Sequence, residues 1–223
     1  MADEWAIARQ IRREQRLETG LKLGLTLIVL SVVVVMGAMI YSFIADRNAP
    51  PKNYFDYQTR LWQAAISQDP TNAAGYEQLG FVYLKAKRYR QAINTFERGL
   101  SYNPKQVGIL YNLGVAYHES GKDEKAIEKL KTALQYAPTS SKYLAAFQLG
   151  EIYEKQGKED KAVENYKLSV QDNPTIWNTH FALGRMYEKQ GQKDPAIKEY
   201  QEALKFDPPN EKVKQALKRV QGK

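Results

Sequence analysis

The sequence contains no cysteine and only two histidines. The first absence excludes disulfides, thiolate zinc sites, iron–sulfur ligation and cysteine nucleophiles together. The second leaves His118 and His180 in different stretches of the chain, short of the three or four converging ligands a metal site needs. There is no glycine-rich phosphate loop and no Ser-His-Asp set, and the carboxylates are dispersed over the sequence. No catalytic residue, metal or cofactor is expected. A single-sign charge block is missing as well. The net charge is +8, but lysines alternate with acids, as in Lys122-Asp-Glu-Lys125 and Lys158-Glu-Asp-Lys161. Mixed signs at helical spacing describe a solvated face, so no nucleic-acid partner is expected.

Charge is absent altogether from Leu23 to Ala45, a run of mostly Leu, Ile, Val, Ala and Met inside an otherwise polar chain. As a helix it would extend about 34 Å, enough to cross a hydrocarbon core of about 30 Å. The run is longer than the apolar core of a cleaved signal peptide and has no clear small-residue cleavage site after it. Residues 23–45 are therefore expected to cross a lipid bilayer as a signal-anchor. Arg9, Arg12, Arg13, Arg16 and Lys22 precede the run, against Arg47, Lys52 and Arg60 after it. That bias predicts a single-pass cell (inner) membrane protein with residues 1–22 cytoplasmic and the rest extracytoplasmic. Gly20 and Gly24 have the spacing of a helix-dimer motif, but Lys22 lies between them. Residues 5–17 could form a surface helix or simply extend the anchor. Pro50 and Pro51 stop the helix and stiffen a linker over 46–53.

Beyond the linker two markers recur in step. Leu79-Gly80, Leu113-Gly114, Leu149-Gly150 and Leu183-Gly184 form one series, and Pro70, Pro104, Pro138, Pro174 and Pro208 the other. Two markers at one period mean an internal repeat. Within each period, apolar residues fall at helical spacing in two groups separated by a polar turn: Leu110, Leu113, Gly114 and Tyr117, then Ser120 to Asp123, then Ala126, Ile127, Leu130, Ala133 and Leu134. Each unit is predicted to be a helical hairpin that must stack on its neighbours to bury its stripes. The glycines at 80, 114, 150 and 184 and the alanines at 92, 126, 162 and 196 let paired helices approach closely, with Tyr83, Tyr117, Tyr153 and Tyr187 expected beside them.

These residues resemble the tetratricopeptide repeat family, whose pattern puts Leu-Gly and Tyr in the first helix, Ala and an aromatic in the second, and Pro at the end. The resemblance implies an all-α fold: a transmembrane helix, then a right-handed α-solenoid with repeats over 73–106, 107–140, 143–176 and 177–210. A degenerate half-repeat occupies 54–70, with Trp62, Ala65 and Ile66 as its stripe, and a capping helix 211–221. Gly99 replaces the usual alanine in the first unit, Leu130 the usual aromatic in the second, and two extra residues near Ser141 precede the third.

The resemblance also implies a partner-binding groove along the first helices, lined by Glu77, Phe81, Leu84, Lys85, Tyr111, Val115, His118, Phe147, Glu151, Glu154, Asn178, Phe181, Arg185 and Glu188. Chaperone-binding members hold a C-terminal carboxylate with lysines, asparagines and an arginine. Here those positions read Glu77, Phe81, Asn112, Leu144 and Gln148, and only the asparagine matches. Such a clamp is not expected. The aromatics Phe81, Tyr111, Phe147 and Phe181 point to an apolar or extended peptide or a helix, or else pack between repeats. The reading is a non-enzymatic, membrane-anchored interaction scaffold, an assembly factor or adaptor for an envelope protein complex. A stoichiometric accessory subunit and a cytosol-facing receptor for membrane-targeted proteins are the alternatives.

Overall fold

The computed structural model describes residues 20, 21, 23–42 and 50–222, and every regular element among them is a helix. The chain divides into two units, Met1–Lys52 and Asn53–Lys223. The first contains α1, Leu23–Ser42, which by length and composition is a candidate membrane span. Its twenty residues would measure about 30 Å, the thickness of a hydrocarbon core. Ser31 in its middle donates its hydroxyl to the Ile28 carbonyl at 2.7 Å, so that polar group is satisfied within the helix. Residues 43–45 of the expected span, the basic residues before it, the 5–17 segment and residues 46–49 of the linker lie outside the described residues.

The second unit is a run of ten helices: α2 (Tyr54–Gln68), α3 (Ala73–Lys85), α4 (Tyr89–Tyr102), α5 (Val107–Glu119), α6 (Asp123–Tyr136), α7 (Lys142–Lys155), α8 (Glu159–Asp172), α9 (Trp177–Lys189), α10 (Lys193–Phe206) and α11 (Glu211–Gln221). They pack as the hairpins α3/α4, α5/α6, α7/α8 and α9/α10, with α2 against α3 and α11 against α10. Each hairpin also packs on the next through its second helix, so a solenoid-like stack results. Asparagines start three of the helices: Asn53, Asn72 and Asn210 accept from the backbone N–H of Asp56, Gly75 and Val213. The insertion before the third unit is pinned from the next helix instead. Asp172, at the end of α8, accepts from the backbone N–H of Ser140 and Tyr143, both at 2.9 Å.

A single contact recurs inside every hairpin. The glycine of each Leu-Gly pair faces a large side chain from the second helix: Phe96 over Gly80, Leu130 over Gly114, Tyr166 over Gly150 and Tyr200 over Gly184. A Cβ at Gly150 would lie 2.5 Å from the Tyr166 ring, and one at Gly184 would lie 2.7 Å from the Tyr200 ring. Tyr83, Tyr117 and Tyr153 are buried in the same core, with Tyr187 packed against it. The side chains over the glycines come from the facing helix, since side chains on one helix lean along it rather than across it. Phe96, Leu130, Tyr166 and Tyr200 are completely buried, together with Ala92, Ala126, Ala162 and Ala196. Gly99 also has a steric reason: a Cβ there would meet Ile109 at 2.7 Å and Tyr76 at 2.8 Å.

Replacing Gly150 with Leu should therefore lower stability by about 1–3 kcal/mol, because Tyr166 has nowhere to move in a filled core. Thermal unfolding followed by circular dichroism checks this, and an unmoved midpoint would contradict the notch.

Candidate functional site

Between α3 and α5 the first helices of the first two hairpins leave a groove of about 320 Å³. Its apolar wall consists of Phe81, Leu84, Tyr111 and Val115, and its polar rim of Lys85, Lys87, Tyr89, Asn112 and Glu119. Phe81 remains 39% exposed. The Lys85 ammonium lies 5.1 Å from its ring centre, within cation–π range. Tyr89 donates its hydroxyl to Glu119 across the rim at 3.2 Å.

Farther along the stack the equivalent positions carry charge pairs. Arg185 in α9 reaches back to Glu154 in α7 through its two terminal guanidinium nitrogens, at 2.9 and 3.0 Å. Tyr166, the ring in the Gly150 notch, donates its hydroxyl to the same carboxylate at 2.8 Å. One repeat later the set recurs. Arg219 in α11 holds Glu188 in α9 at 2.6 and 2.8 Å, and Tyr200 donates to Glu188 at 2.6 Å. Bidentate pairs of this kind are strong and directional. The Arg219 hydrogen bond, then the Tyr200 hydroxyl, hold Glu188 below the usual carboxylate range against the opposing effect of burial. Burial first, and the neighbouring carboxylate second, push both tyrosines up.

The repeat register gives the positions of these pairs in the earlier units. Glu154 with Arg185 corresponds to His118 with Glu151 one repeat before, and to Leu84 with Val115 before that. His118 turns instead to Asp123 at 2.7 Å. Burial raises Glu151, while His118 and Arg185 pull it the other way and Gln148 donates to it at 3.0 Å. The face of the first helices therefore grades from apolar at α3/α5 to ion-paired at α7/α9/α11.

Of the residues expected to line a groove, the structure brings together Phe81, Leu84, Lys85, Tyr111 and Val115. Glu154, Arg185 and Glu188 are committed to the ion pairs. Phe147 packs on Tyr166 at 5.7 Å, and Phe181 on Tyr200 at 5.8 Å. Glu77 accepts from Gln106 at 3.0 Å and lies over Gly108. The Asn178 side-chain oxygen is buried with no hydrogen-bond partner among the described residues. Lys87, Tyr89 and Glu119 were not anticipated. Lys87 had a readable signal, since the same turn position carries Gly121, Gly157 and Gly191 in the other units. The glycines have φ between 71° and 77°, and Lys87 adopts the same left-handed conformation at φ 57°. A side chain there costs about 1–2 kcal/mol that glycine avoids. The unit with the open groove thus carries a strained cation on its rim.

Tetratricopeptide repeat profiles match residues 61–94, 83–149, 144–175 and 177–210. The chain belongs to the tetratricopeptide repeat family. A crystal structure of MamA is 26% identical, covering 69% of this chain and 89% of its own, with a TM-score of 0.62. MamA AMB-1 is 30% identical over 66% of this chain and 85% of its own, with a TM-score of 0.55. YrrB, described as a TPR protein with an unusual peptide-binding site, shares the fold at 20% identity and a TM-score of 0.59, covering 74% of this chain and 84% of its own. No curated protein matches.

Neither histidine of this tetratricopeptide repeat protein belongs to a metal cluster among the described residues. His180 is buried in α9, with Nδ1 2.7 Å from Glu199 and Nε2 2.8 Å from the Pro174 carbonyl. Tyr76 makes the matching bond to Pro70 in the first unit. Two acceptors at the two ring nitrogens require an imidazolium. Burial alone would lower its pKa, but the bonds to Glu199 and Pro174, helped by Glu202, raise it overall. A raised folded-state pKa contributes stability that is fully present below the unfolded value, about 6.5. That stability is lost as pH rises through the folded value. The thermal midpoint should therefore fall across that range in the wild type more than in His180→Leu; parallel profiles would contradict a charged His180.

Proposed function

We propose that this chain is a membrane-anchored interaction scaffold that holds a segment of a partner protein in the α3/α5 groove. The observation that carries the proposal is the contrast along the inner face: an open apolar trough at Phe81, Leu84, Tyr111 and Val115, and occupied ion-pair positions beyond it. The stack winds as a right-handed solenoid with the trough on its concave side. An apolar side chain from an extended peptide or a helix fits the trough, and an acidic group beside it meets Lys85 and Lys87. Asn112 lines the same rim as Lys85 and Lys87, while the positions of the family's carboxylate clamp read Glu77, Phe81, Asn112, Leu144 and Gln148.

In this reading residues 23–45 cross the cell (inner) membrane, the N-terminus is cytoplasmic and the repeats work on the extracytoplasmic side. The positive-residue bias before the span supports that orientation. The partner belongs to an envelope protein complex that the chain helps to assemble, and the scaffold itself carries out no chemistry.

Phe81→Glu combined with Val115→Glu should keep the helical content and lose the partners recovered by crosslinking and pull-down from native membranes. Lys87→Gly should melt later, by about 1 kcal/mol from relief of the left-handed lysine, yet recover less partner. Unchanged partners in the folded double variant would refute the groove.

A further inference from the structure

The face of α2 turned away from the stack is apolar where the other second helices are polar. Tyr54, Tyr57, Leu61 and Ala64 recur at helical spacing, and Tyr54, Tyr57 and Leu61 are 69%, 52% and 45% exposed. The repeat register gives their counterparts. Tyr54 aligns with Arg88, Lys122, Lys158 and Gln192; Tyr57 with Gln91, Lys125, Lys161 and Pro195; Leu61 with Thr95, Lys129, Asn165 and Glu199. The stripe is not the scar of a missing hairpin partner. The surfaces that meet a first helix in the full units, at Ala92 and Phe96, align with Gln58 and Trp62 instead. Trp62 and Ile66 pack on the core, and Gln63 donates to Tyr83 at 3.3 Å, so α2 is fixed to α3 by its other sides.

We propose that this stripe rests in the membrane–water interface, so that α2 is a lipid-contacting helix that docks the start of the repeat array onto the bilayer. The inference rests on reading α1 as a membrane span. Residues 43–53 alone separate Ser42 from Tyr54, a tether of at most about 40 Å. Tyrosine favours the headgroup boundary, where its apolar ring and polar tip are both satisfied, and phenylalanine serves the apolar face of an interfacial helix. Tyr54 and Phe55 supply a pair with ring centres 5.8 Å apart at the end of α2 nearest the tether. Exposed stripes of this kind are costly in water, and a bilayer within reach removes that cost. A partner whose juxtamembrane segment leaves the same surface would then meet α3 and α5 early.

The cysteine-free chain allows a direct test on full-length protein reconstituted in phosphatidylcholine–phosphatidylglycerol vesicles. Single cysteines replace Ala64, its counterpart Thr132 in the second unit, or Val33 within α1, and carry an environment-sensitive fluorophore. Doxyl-labelled lipid should quench the label at 64 about two-fold or more above that at 132, as expected for interfacial burial. Tyr57→Glu with Leu61→Glu should abolish the difference. Equal quenching at 64 and 132 with strong quenching at 33 would overturn the lipid contact and leave the span intact. No quenching at 33 would overturn the span, and the lipid contact with it. Shielding of 64 from aqueous iodide in native membranes without lipid quenching in vesicles would mean that a protein covers the stripe, which also contradicts the proposal.

Discussion

Every feature of the array depends on how closely the two helices of a hairpin approach at the glycine notch. The ring or branched side chain that drops into the notch fixes the pair, and the pair then presents a second stripe to its neighbour. The identity of that one buried residue also reaches the inner surface. Phe96 and Leu130 end inside the core. Tyr166 and Tyr200 fill the same notches but extend a hydroxyl through to Glu154 and Glu188. Those carboxylates are thereby oriented for Arg185 and Arg219. The two units whose notch residue carries a hydroxyl are thus the two whose first-helix glutamate is held for an arginine.

The period, the helices and their pairing were legible in the sequence because each is local or repeats in register: Leu-Gly, the alanine, the closing proline. The side chain that sits over each glycine was not named in advance. Helical spacing identifies a stripe but does not say which member of a facing stripe occupies a gap. The Glu154–Arg185 and Glu188–Arg219 pairs were invisible as pairs, since their partners sit on neighbouring units and meet only once hairpins stack. The same holds for Glu77, which turns from the groove to Gly108 of the next unit, and Asp172 at the end of α8 meets the start of α7 only once that hairpin closes. Lys87 was readable in principle as a lysine in a row of glycines, but only its backbone conformation shows that the turn kept its shape and took on strain.

The array is graded rather than uniform. At one end lie the aromatic face of α2 and the open trough of α3 and α5. At the other end α11 supplies Arg219 as the last member of the ion-pair series and buries Val213 and Ala216 against Ala203 and Tyr200. The first two units keep apolar surface exposed in the groove, and the later units commit theirs to internal pairing.

The most direct measurement is a photo-crosslinking scan in native membranes, with a benzophenone amino acid placed singly at Phe81, Val115, Glu151 and Arg185. Adducts to a partner should form from 81 and 115 and not from 151 and 185. Adducts from 151 and 185, or equal yields at all four positions, would contradict a binding site confined to the first two units.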